Sequence, residues 1–224
     1  MKRDGHVLSV ELLSCDNVGQ APNRPFLTLH RLSVQNVYID KKRSAAYSYD
    51  AVLRKGIDAV AIILTTDVNG KMHVCLRTCI RPPLLLRKDI NLPIPDEGDA
   101  DFLWEIPAGI IEPGEHGVEA IKQRAAAECF EETGYKMDWL DFELLKGASF
   151  VSPGVIPERI WYVRAKVADP DIRSLPQGDG SPVEDRAQIW WVSLEEALSM
   201  CDEGEVNDMK TELGLRRLAA LHTY

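Results

Sequence analysis

The stretch that decides the fold runs from Gly109-Ile110-Ile111-Glu112-Pro113-Gly114-Glu115 to Glu128-Cys129-Phe130-Glu131-Glu132-Thr133-Gly134-Tyr135. Between its halves, Ile121, Ala125 and Cys129 recur every four residues, which predicts a helix from about 116 to 133 with one apolar face. Gly134 reads as its C-terminal cap. At ~3.6 residues per turn, Glu128, Glu131 and Glu132 share a helical face. Three like charges there repel unless a cation neutralises them, and oxygen-only donors suit a hard divalent ion, Mg²⁺ or Mn²⁺. Glu128 and Glu132, one turn apart, are the first candidates for ligands, with Glu131 third. The plain alternative is a solvated acidic face, which is what most Glu-rich helices are.

Outward from this stretch, Ala59 to Leu64 reads as a buried strand. Asp67-Val68-Asn69-Gly70 has hairpin chemistry, and Lys71 to Ile80 reads as the returning strand. Val7 to Leu13 and Leu27 to Ile39 read as strands, with Asn17 to Pro25 a loop between them. Residues 82–101 are proline-rich and then acidic, a surface excursion. A short strand is expected at 103–108, and further strands at Phe142 to Val151, Ile160 to Val167 and Gln188 to Val192. A polar loop over 169–183 precedes the last of these. Ser193-Leu194-Glu195-Glu196 is a capping-box helix start, and a final helix is expected from near Asn207 to about Leu221.

The 224 residues fit one medium domain with an N-terminal extension, divided here as 1–56 and 57–224. A net charge of −9 argues against general binding to nucleic acid or to an anionic membrane. It leaves room for a phosphorylated substrate, because a metal can supply the local positive charge. The five cysteines, Cys15, Cys75, Cys79, Cys129 and Cys201, form no metal or redox spacing and read as reduced thiols of a cytoplasmic protein. No apolar run reaches signal-peptide or membrane-span length.

The segment Gly109 to Tyr135 resembles the box of the Nudix hydrolases: glycine, five residues, glutamate, seven residues, then R-E-U-x-E-E-x-G-U with U apolar. Gly109 and Glu115 match the front half; Glu128, Cys129, Glu131, Glu132, Gly134 and Tyr135 match the back half. Two departures stand out. The gap after Glu115 is four residues too long, and Ala127 occupies the arginine position. A phase through Glu119 keeps the family spacing to Glu128 but has no glycine at the right distance. Arg124, one turn before Glu128, is a candidate for the missing arginine's orienting role.

Three features outside the box are similar to the ADP-ribose and nucleoside-diphosphate-sugar pyrophosphatase branch. They are Ser152-Pro153-Gly154-Val155-Ile156-Pro157-Glu158-Arg159, Trp104-Glu105-Ile106-Pro107-Ala108-Gly109, and Arg81 at a strand end. The resemblance covers about residues 57–200. It implies an α/β/α sandwich around a mixed sheet with an N-terminal β-rich extension, and metal-dependent hydrolysis of ADP-ribose or a related nucleoside diphosphate sugar. It further implies metal held by Glu128, Glu131, Glu132 and the Ala108 carbonyl, with Arg81, Glu105 and Glu158 positioning substrate. Besides Glu131, the catalytic candidates are Glu184 as general base and Asp185 as its alternative, on a late loop whose closure would exclude water. The N-terminal sheet is expected to contribute to a homodimer. Tyr38, Tyr47 and Tyr49 could stack on a nucleobase or serve as core or interface aromatics. Alternatives are another diphosphate, such as a dinucleotide or an RNA 5′ end, and a non-catalytic nucleotide-sugar sensor on the same fold.

Overall fold

The computed structural model describes residues 7–20, 26–96, 102–176, 178 and 187–222. By contact density the chain divides into two units, residues 1–57 with 150–159, and residues 58–149 with 160–224.

The first unit is an antiparallel sheet in the order β1 (Val7–Gln20), β2 (Thr28–Tyr38), β3 (Tyr47–Leu53). It corrects the sequence reading twice. First, β1 continues through the expected loop at Asn17-Val18-Gly19. Register shifts at Val7/Ser9, Leu12/Ser14 and Asn17/Gly19 let the strand absorb turn-forming residues without leaving the ladder. Second, β3 was not anticipated; its first four residues are all exposed. Backbone pairing from Thr28↔Leu53 to Val34↔Tyr47, not a buried stripe, holds it. The Val52 N–H also donates to the Val155 carbonyl, and the Tyr49 hydroxyl to that of Gly154.

The second unit is built on a mixed sheet in the order β11 (Ile189–Ser193), β5 (Lys71–Ile80), β4 (Ala59–Val68), β10 (Arg159–Lys166), β8 (Glu143–Leu144). Three short strands complete it. β6 (Phe102–Glu105) pairs with β5, β7 (Ala108–Ile110) with β4, and β9 (Ser149–Phe150) with β10. β4 and β10 run parallel. β4 and β5 form the hairpin expected from Asn69-Gly70, whose φ values of 52° and 77° are the left-handed pair such a two-residue turn requires. The strand expected over Phe142 to Val151 is broken in two, with Gly147 between the pieces in the left-handed region at φ 81°. Within the proline-rich excursion, Pro82–Asp89 forms a 3-10 helix with proline in its first turn.

The first eight residues of β4 are buried, so neither face of this strand meets water. Its even positions Val60, Ile62 and Leu64 pack with Val163 and Ala165 of β10 and with Ile121, Ala125 and Cys129 of α1 (Gly117–Thr133). Each large apolar side chain buried there contributes roughly 1.5–3 kcal/mol. α3 (Met209–Leu221) packs against β4 and β6, and its Gly214 lies against Ile106 and Tyr162. α2 (Leu194–Glu203) packs on β11 and β5, with the Ser193 side chain accepting the Glu196 N–H at 3.1 Å as the capping box predicts. Helices thus cover the sheet and bury the strand beside which the acidic helix lies. Among the described residues, no helix is long and apolar enough to cross a membrane.

Candidate active site

α1 ends as its sequence dictates. Gly134 adopts φ 78°, and its N–H returns to the Phe130 carbonyl. A Cβ at Gly134 would lie 1.9 Å from the Ser174 carbonyl oxygen, so a following segment closes directly over the cap. The Ser174 N–H donates to the Gly134 carbonyl at 3.0 Å, and the Gly178 N–H to that of Glu131, also at 3.0 Å. The chain leading toward residues 179–186 is therefore anchored on the acidic turn. Glu184 and Asp185 themselves lie outside the described residues.

β7, the strand before α1, meets Glu128 closely. A Cβ on Gly109 would lie 2.0 Å from the Glu128 carboxyl carbon and 2.1 Å from its Oε1. The absent side chain is thus the berth in which this carboxylate rests. Arg124 reaches the same carboxylate, Nη1 to Oε1 at 3.7 Å, while gripping Glu115 at two points, 3.2 and 2.7 Å.

Glu132, the other first candidate for a metal ligand, is anchored in the interior. It is 4% exposed and forms a buried ion pair with Arg77 of β5, while its other oxygen accepts the Ala108 N–H at 2.9 Å. It fastens the helix to both β5 and β7. Arg77 was not singled out from the sequence. It precedes Cys79 and Arg81 by two and four residues, and strand alternation puts it on their face.

Arg81 and Glu105, expected to act on substrate, do come together: Nε to Oε1 at 2.8 Å and Nη2 to Oε2 at 2.6 Å. The Glu105 side chain is 3% exposed while Arg81 is 44% exposed, so the pair presents a guanidinium outward from a buried anchor. Lys210 of α3 also pairs with Glu105, and with Asp208 at 2.8 Å. Burial pushes the Glu105 carboxyl up, but Arg81 and Lys210 outweigh it and hold the group below the usual carboxylate range. Lys210, like Arg77, was missed, since no local pattern marks an ion pair formed across 105 residues. Glu158 belongs to the first unit, where it pairs with Arg54.

Among the described residues, no three His, Cys, Asp or Glu side chains form a group able to cage a metal. A smaller donor set fits a divalent cation. Mg²⁺ is commonly held by one or two carboxylates, with water and substrate phosphate completing its shell. Glu128, seated in the Gly109 berth, and Glu131, three residues on along the same helical face, supply two carboxylates on an oxygen-only site. Burial pushes the Cys75 and Cys129 thiols up, the latter to about 12.

A family model for the NUDIX domain matches residues 58–211, well over half the chain. The chain belongs to the Nudix family, and within it is an enzyme of the diphosphatase type. No curated protein matches it significantly. Among solved structures, one described as an ADP compounds hydrolase has the same fold, at a TM-score of 0.65 and 16% sequence identity over 96% of this chain and 95% of that one.

Proposed function

We propose that this protein hydrolyses the diphosphate of ADP-ribose or a related nucleoside diphosphate sugar, releasing a nucleoside monophosphate and a sugar phosphate. The observation that carries the reading is Glu128, on the Nudix-domain helix α1, seated in the side-chain-free space of Gly109 in β7. The fold shared with an ADP compounds hydrolase supports the choice of substrate class.

Glu128 and Glu131 would hold Mg²⁺ or Mn²⁺, with the Ala108 carbonyl as a further ligand. Glu132, bound to Arg77 and to the Ala108 N–H, would fix β7 and the helix in register rather than enter the metal shell as placed. When bound, the cation neutralises diphosphate charge and lowers the pKa of a bound water. Arg81, oriented by Glu105, offers a planar fork suited to a phosphate. Glu184, or Asp185 in its place, would accept a proton from the attacking water.

A panel of nucleoside diphosphate derivatives tests this. ADP-ribose with Mg²⁺ or Mn²⁺ is expected to yield AMP and ribose 5-phosphate. Glu128→Gln removes a contribution of several kcal/mol, about 100- to 1,000-fold in kcat/KM. Absence of turnover on every member of the panel with both metals would remove the reading.

The same reading includes a homodimer formed through the N-terminal sheet, supported by Leu12, Leu13, Val18 and Leu29 standing exposed on β1 and β2. Light scattering of the full chain is expected to give twice the mass of one chain. A single-chain mass at micromolar concentration would exclude the dimer.

A further inference from the structure

We infer that Arg124 is the positioning residue that aims Glu128, so that the lengthened box keeps its geometry with its arginine one helical turn earlier. This inference rests on the metal-holding role proposed for Glu128.

The chain of contacts begins in the loop. The Glu115 N–H donates to the Glu112 carbonyl at 3.0 Å, and the Glu112 N–H to Glu115 Oε2 at 2.8 Å, closing a reciprocal turn around Pro113 and Gly114. Gly114 makes that turn possible at φ 98°. Glu115 is therefore fixed by backbone before any side chain meets it. Arg124 then binds its carboxylate through two nitrogens, which sets the plane of the guanidinium. The third nitrogen, Nη1, faces Glu128 Oε1 at 3.7 Å across one helical turn. Glu128 is thus confined between Arg124 and the bare face of Gly109.

The sequence departures explain each other. Four extra residues amount to about one turn of helix, so the insertion lengthens α1 with little rotation of its faces. Ala127, where the family pattern has arginine, is exposed and carries no group able to reach a carboxylate. Arg124 is partly buried, its side chain 20% exposed, with Glu115 and Glu128 at 29% and 16%. That is enough shielding to hold one geometry, unlike a surface pair that samples many.

Titration calorimetry with Mn²⁺ on the full chain, without substrate, tests the inference alongside kcat, KM and Tm. Arg124→Gln is expected to weaken Mn²⁺ binding about tenfold or more, the usual cost of losing a group that orients a ligand. It should lower kcat more than it changes KM, with Tm within a few degrees of the parent. Arg124→Lys keeps the charge without the fork and is expected to recover part of the loss. Adding Ala127→Arg to Arg124→Gln is expected to recover part of it too. Parental Mn²⁺ affinity in Arg124→Gln overturns the inference. A loss accompanied by a fall in Tm and relieved by neither rescue also overturns it, because that marks a role in folding alone. Glu128→Gln separates the two levels. If it takes up Mn²⁺ like the parent, or the parent takes up none, the metal reading itself fails, and this inference with it. If only Arg124→Gln is indifferent, the metal reading stands and this inference falls.

Discussion

Gly109→Ala is expected to lower kcat/KM on ADP-ribose by about 100-fold while shifting Tm by no more than a few degrees. The added methyl would sit 2.0–2.2 Å from three atoms of the Glu128 side chain, far inside any tolerable contact. Those atoms are the end of a flexible side chain, not backbone, so relief is simple: the carboxylate swings away. The fold loses little, but the site loses the placement of a ligand. A displacement of about 1 Å in a catalytic group can cost on the order of 100-fold. Steady-state kinetics with a thermal melt check the split. In a Glu128→Gln background, Gly109→Ala should add almost nothing, because both changes act through one group. Unaltered kcat/KM in the single variant would show that Glu128 does not need this berth.

Arg77→Met is expected to do the opposite, with a large loss of stability. Arg77 and Glu132 are each 4% exposed, so removing the arginine leaves a buried carboxylate without its counter-charge. Breaking such a pair from one side typically costs about 3–5 kcal/mol. For a chain of this length that corresponds to a Tm fall on the order of 10 °C. Arg77→Met with Glu132→Gln should recover much of it, since the remaining group is neutral and can still accept the Ala108 N–H. Differential scanning calorimetry of the two variants decides. A single variant melting within 2 °C of the parent would mean that the pair is not a fastening of the fold.

What the sequence disclosed and what it hid follow one physical line. The acidic helix was legible because Ile121, Ala125 and Cys129 carry a 3.6-residue period and Gly134 can close the last turn. The hairpin at Asn69-Gly70 was legible because its residues tolerate positive φ. Both signals are local. β3 was hidden because its evidence lies in the partner strand, and the length of β1 because bulges disguise a continuous ladder. Of the candidate site residues, Glu128 was singled out by helical spacing and Arg81 and Glu105 by resemblance to known motifs. Arg77 and Lys210 were not. Their partners are 55 and 105 residues away, and an ion pair across that separation leaves no period or spacing to read. The anchoring of Glu132 on Arg77 was hidden for the same reason, since it depends on a strand residue that the helix pattern cannot reveal.

The parallel ladder between β4 and β10 has a consequence for how the chain is born. Ala59 pairs with Ile160, which follows it by 101 residues in the chain. At about 5–20 residues per second, a ribosome delivers β4 roughly 5–20 s before β10 emerges to cover its edge. Through that interval one of the most apolar segments of the protein has its hairpin partner β5, the short strand β7 and the nascent acidic helix for shelter, but not β10. Holdase chaperones would find their natural target there.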